Sequence, residues 1–268
     1  MSKKEKRQDD IIHILQNTNG ASAKDLAQHL NVSEMTIRRD LKELEQRQVI
    51  DNFHGAAVLK MNYSKSNDAT LPQEFQYNLS ENSKKMTKEK FAIGKTAASM
   101  IEPDDIIAID IGTTTEKMTQ QISEDLSFTA LVYSANNLLH LLPKSNANMI
   151  LSGGMFHRTN GMFESAGNLS LIENTRVSKF FLSAAGVHES LGITSAYSYE
   201  ILVKRTIIKN SLQVILLVDS SKFDVISTSF ITELSNIDHI VTDNKISDEW
   251  INIIQSMNIA LTIVDPDH

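Results

Sequence analysis

The sequence contains no cysteine among its 268 residues. Disulfide bonds, thiolate metal sites and a cysteine nucleophile are therefore excluded, and a reducing, cytoplasmic setting is expected. The chain also lacks a run of about 18 consecutive apolar residues, the length that a membrane-spanning helix needs. Its first ten residues are charged and polar, so we expect neither export nor membrane insertion.

Common enzyme motifs are missing as well. The sequence has no GxGxxG, no GxxxxGK followed by Ser or Thr, no HExxH and no GxSxG, and its eight histidines show no spacing typical of metal ligands. We therefore expect no bound metal, no cofactor and no catalytic residue.

Charge is distributed unevenly along a chain of ordinary globular composition, with 41% hydrophobic and 22% charged residues. Residues 1–60 hold ten Lys and Arg against nine Asp and Glu, whereas the remainder holds 16 against 24. The N-terminal part is thus less acidic, but a nucleic-acid surface would have to come from clustering of its basic residues. The length suits one large domain or a small domain joined to a medium one.

Three short helices are predicted at the N-terminus. Apolar residues at helical spacing predict a first helix over residues 5–17. Ser22, with Asp25 three residues later, is typical of a helix start, and Ser33 can cap a third helix. The buried face of that third helix is predicted to consist of Ile37, Leu41 and Leu44.

The opposite face of the third helix concentrates polar and basic side chains. Thr36, Arg38, Arg39 and Lys42 are of the types that contact bases and phosphates. Two strands are predicted between residues 49 and 59, around a turn at residues 53–55. Three helices followed by a hairpin are typical of a winged helix-turn-helix, although a small helical bundle with a solvated charged face fits the same pattern.

Beyond this module the pattern changes twice. Residues 61–84 are polar and predict a linker. A helix over residues 89–100 follows, and apolar strands then alternate with helical stretches, which predicts a mostly parallel α/β sheet covered on both faces. These strands are IIAID, FTALVYS, NMILS, KFFLSAAG, QVILLVD and HIVTD. We divide the chain into a predicted winged helix-turn-helix module at 1–60, the linker at 61–84 and an α/β domain at 85–268.

Candidate ligand-binding residues follow these strands, because ligands of open α/β sheets lie beyond the carboxyl ends of the strands. Gly112, Thr113 and Thr114 begin a helix after the first strand, an arrangement suited to an anion. Small residues and one cation follow other strands, namely Gly153, Gly154, Gly186 and Lys222. Together they predict a pocket for a small anionic molecule, although such turns also occur for packing reasons.

Glu200 and Lys204 form a further candidate pair. The two residues are four positions apart on a predicted helix, with the acid first. This spacing is equally typical of an ordinary surface ion pair and of a ligand-binding pair.

Residues 32–57, VSEMTIRRDLKELEQRQVIDNFHGAA, resemble the signature of the DeoR family of bacterial transcription regulators. The C-terminal part is similar to the sensor domain of that family through IDIGTTTEKM, LSGGM, FLSAAGV, YEILVK, VDSSKF and IVTD. The resemblance covers nearly the whole chain. It implies a sensor fold similar to ribose-phosphate isomerases and coenzyme A transferases.

The resemblance implies a DNA-binding set in the N-terminal module. The third helix would enter the major groove, and the hairpin would form the wing. In the wing, this chain has Ala56 and Asp51 where the family usually has a second glycine and an arginine. The implied DNA-binding residues are Ser22, Lys24, Ser33, Thr36, Arg38, Arg39, Lys42 and His54.

The resemblance also implies a sugar-phosphate pocket. Phosphate would lie at the helix start, Lys222 would supply positive charge, and Asp110 and Glu200 would accept hydrogen bonds from sugar hydroxyls. The implied effector-binding residues are Asp110, Gly112, Thr113, Thr114, Gly153, Gly154, Gly186, Glu200, Lys204 and Lys222.

The expected function is repression of a sugar-metabolism operon, with operator binding modulated by a phosphorylated sugar. A homo-oligomer on paired half-sites is expected. Two alternatives stay open: a C-terminal domain that only oligomerises, and an active sugar-phosphate isomerase fused to the DNA-binding module. Catalysis is disfavoured because the stretch Ser183 to His188 carries no carboxylate to act as a base.

Overall fold

The computed structural model of the protein describes residues 3–18, 20–47, 49–53, 56–59 and 85–267. The α-helices in these ranges are α1 Lys3–Thr18, α2 Ala23–His29, α3 Glu34–Gln46, α4 Thr87–Ala98, α5 Thr113–Gln121, α6 Ala135–Leu141, α7 Ala166–Glu173, α8 Ile201–Lys209 and α9 Asp248–Ser256. None of the helices in this described part is both long and apolar enough to cross a lipid bilayer.

The strands number fifteen in the described ranges. They are β1 Ala21–Ser22, β2 Ile50–Phe53, β3 Ala56–Leu59, β4 Ile106–Ile109, β5 Phe128–Val132, β6 Ala147–Leu151, β7 Met155–His157, β8 Met162–Glu164, β9 Val177–Ser183, β10 Gly186–His188, β11 Gly192–Ser195, β12 Ser211–Leu217, β13 Ser229–Thr232, β14 His239–Asp243 and β15 Ala260–Val264.

The N-terminal module is a winged helix-turn-helix, as predicted. Helices α1, α2 and α3 pack on a three-stranded antiparallel sheet of order β1-β3-β2. Ile37, Leu41 and Leu44 are fully buried in its core, which confirms the predicted apolar stripe. The third strand, β1, was not predicted, because two residues carry no periodic signal. The predicted turn residues His54 and Gly55, and the predicted linker 61–84, lie outside the described residues.

The C-terminal domain is built on a seven-stranded parallel sheet of order β15-β14-β12-β9-β4-β5-β6. All six strands predicted from sequence lie in it, and β15 extends it at one edge. Helices cover both faces, and separate apolar cores lie on the two sides of the sheet. The predicted α/β class is therefore confirmed.

The chain order places a crevice near the centre of this sheet. From β4 the chain proceeds outward to β5 and β6, and it then returns to β9 on the other side of β4. Ligands of open α/β sheets bind where the strand order reverses in this way. The carboxyl ends of β4, β9 and β12 meet there, together with a small antiparallel sheet of order β10-β11-β13.

Candidate DNA-binding surface and anion pocket

Helix α3 presents an open basic face. The side chain of Ser33 accepts a hydrogen bond from the backbone N–H of Thr36 at 3.2 Å and thereby caps the helix, as predicted. Arg38, Arg39 and Lys42 are exposed. These side chains extend from one rigid helix of the size that fits the DNA major groove.

Arg38 is held in place by a neighbour on the same face. Its Nε and Nη2 atoms donate to Glu34 Oε1 at 3.0 and 2.6 Å, one helical turn away. Both side chains are about half exposed, so this pair adds little to stability. It instead limits the orientations from which the guanidinium can approach DNA.

Helix α2 packs against α3 and begins with a well-formed cap. Ser22 and Asp25 form a capping box, in which each side chain accepts a hydrogen bond from the backbone N–H of the other residue. Lys24, in the first turn, is exposed. The predicted helix start is thus confirmed, and the predicted contacts of Lys24 with DNA remain a prediction.

One side of the crevice brings together three separate segments. Gly112, Thr113 and Thr114 form the start of α5, whose first-turn amides have no acceptor within the helix. Lys222 lines the same pocket from a 3-10 turn after β12, and Lys90 lines it from α4. Two cations and a helix N-terminus therefore converge on one small polar space.

Gly112 is required by the close approach of β9. A Cβ atom at this position would lie 2.3 Å from Ser183 Oγ and 2.4 Å from Ser183 Cβ. Any larger side chain would displace β9 or α5, and the substitution would disturb folding as well as the pocket.

Lys90 is a pocket residue that the sequence reasoning missed. Its side chain is buried, its Nζ donates to the backbone carbonyl of Lys85 at 2.8 Å, and it lies 4.0 Å from Asp219 Oδ2. Burial lowers the pKa of Lys90 to about 8, despite the opposing charge of Asp219. A detectable signal existed, because a lysine lies on the same buried stripe of α4 as Ile93 and Ala97.

The second pocket adjoins the first at Gly112, Ser183 and Ala184. Glu200 and Lys204 line it, and both are buried. Glu200 accepts a hydrogen bond from Asn160 Nδ2 at 2.7 Å and a very short one from Ser195 Oγ. The ordinary surface pair considered from the sequence is thus excluded, and Asn160 is a further pocket residue that the sequence did not indicate.

Asp110 is absent from the lining of the two adjoining pockets, so its contact with sugar hydroxyls remains a prediction. Its carboxylate is fully buried and accepts hydrogen bonds from Tyr133 Oη at 2.5 Å and from Ser183 Oγ at 2.6 Å. It also lies 2.7 Å from Lys204 Nζ. Asp110 therefore positions Lys204, which in turn lines the pocket.

The Asp110–Lys204 pair is charged in the folded protein. Burial by itself raises the pKa of Asp110, but the charge of Lys204 and hydrogen bonds from Lys204, Ser183 and Tyr133 together lower it below its ordinary value. Burial likewise opposes the charge of Lys204, whereas Asp110 and Glu200 raise its pKa.

Three of the predicted glycines lie elsewhere. Among the residues that the structure describes, Gly153, Gly154 and Gly186 are not part of the lining of the two adjoining pockets. Gly154 has a φ of +135° and lies against β8, where a Cβ would be 2.3 Å from the carbonyl oxygen of Glu164. Gly186 lies against the backbone of Val225, 2.2 Å from where its Cβ would be. Close backbone packing therefore requires glycine at Gly154 and Gly186.

Comparison with protein families assigns both domains. Residues 7–62 match the DeoR-like helix-turn-helix domain, and residues 85–244, more than half of the chain, match the DeoR C terminal sensor domain. The chain belongs to the DeoR family. This DeoR-family protein is therefore a DNA-binding transcription regulator, as the resemblance implied.

Relatives match over most of the length of the chain. The chain is 32% identical to the deoxyribose operon repressor of Escherichia coli, over 97% of this chain and 98% of that protein. It is 30% identical to the HTH-type transcriptional regulator GolR of Listeria innocua, over the same shares. It is 31% identical to the lactose phosphotransferase system repressor of Staphylococcus epidermidis, over 89% of this chain and 92% of that protein.

Solved structures resemble part of the chain more distantly. A ribose 5-phosphate isomerase of Methanocaldococcus jannaschii superposes with a TM-score of 0.38 at 14% identity, over 50% of this chain and 53% of that chain. eIF2B beta of Chaetomium thermophilum gives 0.44 at 18% identity, over 60% and 52%.

Proposed function

We propose that this DeoR-family protein is a repressor of a sugar-metabolism operon and that a phosphorylated sugar weakens its operator binding. The observation that carries the sensor part is the convergence of Lys90, Lys222 and the α5 start on one pocket. The adjoining pocket, lined by Asn160, Glu200 and Lys204, supplies hydrogen-bonding groups for hydroxyls. Relatives named the deoxyribose operon repressor and the lactose phosphotransferase system repressor support a sugar signal.

We propose that the protein acts as a cytoplasmic homo-oligomer with the division 1–60, 61–84 and 85–268. Two α3 helices on a symmetric dimer would contact half-sites about 34–36 Å apart, or a multiple of that spacing. The proposal does not include catalysis, because both Glu200 oxygens already accept hydrogen bonds and Lys204 lies 3.2 Å away. Turnover of pentose or hexose phosphates above a protein-free control would contradict the proposal that the protein is not an enzyme.

The sensor function is tested by thermal unfolding with pentose, hexose and triose phosphates beside the matching free sugars. A ligand present at 100 times its dissociation constant should stabilise the protein by about 2.7 kcal/mol. We expect one phosphorylated sugar to stand out and its free sugar to give no shift. A flat panel, or shifts from free sugars alone, would contradict the anion pocket.

Lys222→Ala tests the effector response independently of operator binding. Lys222 lines the phosphate pocket, so we expect the variant to lose the thermal shift and the effector response while its operator affinity without effector stays unchanged. Lys222→Ala is more informative than a substitution at Gly112, which has no space for a Cβ. An effector response equal to that of the unaltered protein would remove Lys222 from the site.

Arg39→Ala tests the DNA-binding face. Arg39 is exposed on α3, and loss of a base or phosphate contact typically costs about 1–3 kcal/mol. We therefore expect operator affinity to fall about 5–150-fold. The measurement is a titration of operator DNA, identified by binding-site selection, at several salt concentrations. Lys209→Ala, at an exposed basic residue of α8, is the matched control and should bind normally.

A further inference from the structure

A small apolar contact joins the winged module to the sensor domain. Val58 of β3 and Ile226 of the sensor domain are both buried, and they form a cluster of their own against the partly buried Leu191. Gly20 lies at the same place, where a Cβ atom would be 2.7 Å from the carbonyl oxygen of Ile226 and 2.8 Å from Val58 Cγ1. The backbones of the two domains therefore approach closely at Ile226.

Ile226 belongs to a short segment, residues 223–228, that we call the 223–228 loop. This loop begins directly after Lys222, which lines the phosphate pocket together with Asp219. Phe223 forms a parallel bridge with Val187 and packs against Trp250 at a ring-centroid distance of 4.8 Å. A displacement of Lys222 by a bound anion would therefore act on the first residues of the loop.

The other end of the 223–228 loop is tied to the second pocket. The backbone N–H of Ser227 donates to Thr194 Oγ1 at 2.9 Å, and Thr228 Oγ1 donates to the carbonyl oxygen of Ala196 at 3.0 Å. Ala196 and its neighbour Ser195 line the pocket that holds Glu200. The loop thus spans the interval between the two halves of the ligand site.

The backbone of the 223–228 loop has little space in which to adjust locally. The carbonyl oxygen of Val225 lies 2.2 Å from the position that a Cβ of Gly186 would occupy, so the loop rests directly on β10. Packed interiors transmit displacement because they contain few voids. A displacement of the backbone at either pocket should therefore also displace Ile226.

The contact leaves the DNA-reading face of the module uncovered. Gly20 precedes β1 and Val58 is in β3, whereas Arg39 and Lys42 remain exposed on α3. A module held on the sensor domain can therefore still present α3 to DNA. The orientation of α3 is then set by the surface on which the module rests.

We propose that the 223–228 loop is the surface on which the sensor domain holds its own winged module, and that filling the sugar-phosphate pocket alters this contact. The inference rests on the proposed sensor function and adds the route from ligand to DNA. A ligand that favours one arrangement of the contact must change operator affinity by its ratio of affinities for the two arrangements.

The absence of cysteine allows a direct test in the full-length protein. The double variant Val58→Cys, Ile226→Cys places the two introduced thiols within the described cluster, and disulfide formation reports the contact without background. The probes are inorganic phosphate and the sugar phosphate that gives the largest thermal shift. We expect cross-linking in the free protein, and a rate that changes about fivefold or more when a probe is bound, the lower end of typical coupling factors.

A second pair of cysteines serves as the control. Val58→Cys with Leu212→Cys uses a highly exposed residue at the amino end of β12, away from the carboxyl end that lines the pocket. This pair should not cross-link within one chain. Failure of the test pair to cross-link, or an equal rate with and without a probe that binds, would overturn the inference and leave the proposed function intact. A flat thermal-shift panel would contradict both.

Ile226→Ala gives an independent readout that needs no cross-link and keeps the test valid if the cysteine variants do not fold. The variant should bind the sugar phosphate, but the ratio of operator dissociation constants with and without it should fall from the unaltered protein's value towards one. Val58→Ala should produce the same loss from the other side of the contact, and the double variant should add nothing further. A ratio unchanged in both single variants would overturn the inference.

Discussion

Replacing Lys204 by methionine is expected to lower the free energy of unfolding by about 3–5 kcal/mol. The substitution keeps a long apolar side chain but removes the only positive charge that Asp110 and Glu200 share in the part of the chain described by the structure. Two buried carboxylates would then face each other without a cation. The measurement is urea unfolding of the full-length protein, followed through the transition of the α/β domain.

The same variant should reverse the pH dependence that Asp110 contributes. In the unaltered protein the pKa of Asp110 lies below its ordinary value of 3.8, so the pair stabilises above that value and its contribution is lost as the pH falls through the folded-state pKa. Without Lys204, burial would raise the pKa of Asp110. The stabilising contribution of Asp110 would then be fully present at low pH and would be lost as the pH rises through that raised pKa.

Lys209→Met is the matched control, since Lys209 lies on the same helix but is exposed. We expect its stability to stay within about 0.5 kcal/mol of the unaltered protein. A loss below about 1 kcal/mol in Lys204→Met, or an unchanged pH dependence, would mean that the two carboxylates do not depend on Lys204.

Replacing Lys90 by methionine is expected to weaken binding of the phosphorylated effector about 10–150-fold, the equivalent of a charged hydrogen bond of about 1.5–3 kcal/mol. Lys90 is buried and lines the same pocket as Lys222 and the start of α5. Isothermal titration of the sugar phosphate found by thermal shift measures the effect. Lys95→Met, at an exposed lysine of the same helix, should leave the affinity unchanged.

The pH dependence of binding distinguishes a direct charge contact from a packing effect of this variant. With a pKa of about 8, Lys90 loses its charge as the pH rises through that value, whereas a phosphate ester with a second pKa of about 6 stays dianionic. Affinity should therefore fall between about pH 7 and pH 9 in the unaltered protein. The fall should be absent in Lys90→Met, and a parallel fall in both proteins would contradict the role of Lys90.

Removal of this lysine should not lower stability. Burial holds the pKa of Lys90 below its ordinary value of 10.5, so between those two values the unfolded chain binds more protons than the folded one. The charged lysine therefore costs stability at and below neutral pH. We expect the unfolding free energy of Lys90→Met at pH 7 to be no lower than that of the unaltered protein.

The strands of the main sheet could be predicted because they are continuous apolar runs. Phe128–Val132 and Ser211–Leu217 end in residues buried on both faces, and such runs have a local signal. The edge strand Ala260–Val264 is only partly buried and includes the polar Thr262, so its signal is weaker. The strands β10 and β11 form a local hairpin but are too short to show a periodic pattern. Strand β11 also pairs with β13, which is distant in sequence, so no local pattern specifies that contact.

Some residues of the candidate site could likewise be predicted from a local pattern, whereas others depend on tertiary packing. Gly112, Thr113 and Thr114 directly follow a predicted strand, so their place in the pocket followed from the fold class. Asn160 reaches the pocket from the segment between β7 and β8, whose position depends on tertiary packing. The interior location of Asp110 was equally inaccessible to sequence reasoning, since a carboxylate at a strand end fits both a ligand contact and a buried ion pair.

In the winged module, an ion pair and a hydrogen bond hold α3 against α1. Arg7 Nε of α1 lies 2.5 Å from the fully buried carboxylate of Asp40, and Gln8 Nε2 donates to Glu43 Oε2 at 3.0 Å. These contacts fasten α3 to α1 along its inner side, and they involve none of the exposed residues of its outer face. Operator preference should therefore be exchangeable: transplanting the outer residues of another family member's α3 would redirect the protein to a new promoter while its metabolite control persists.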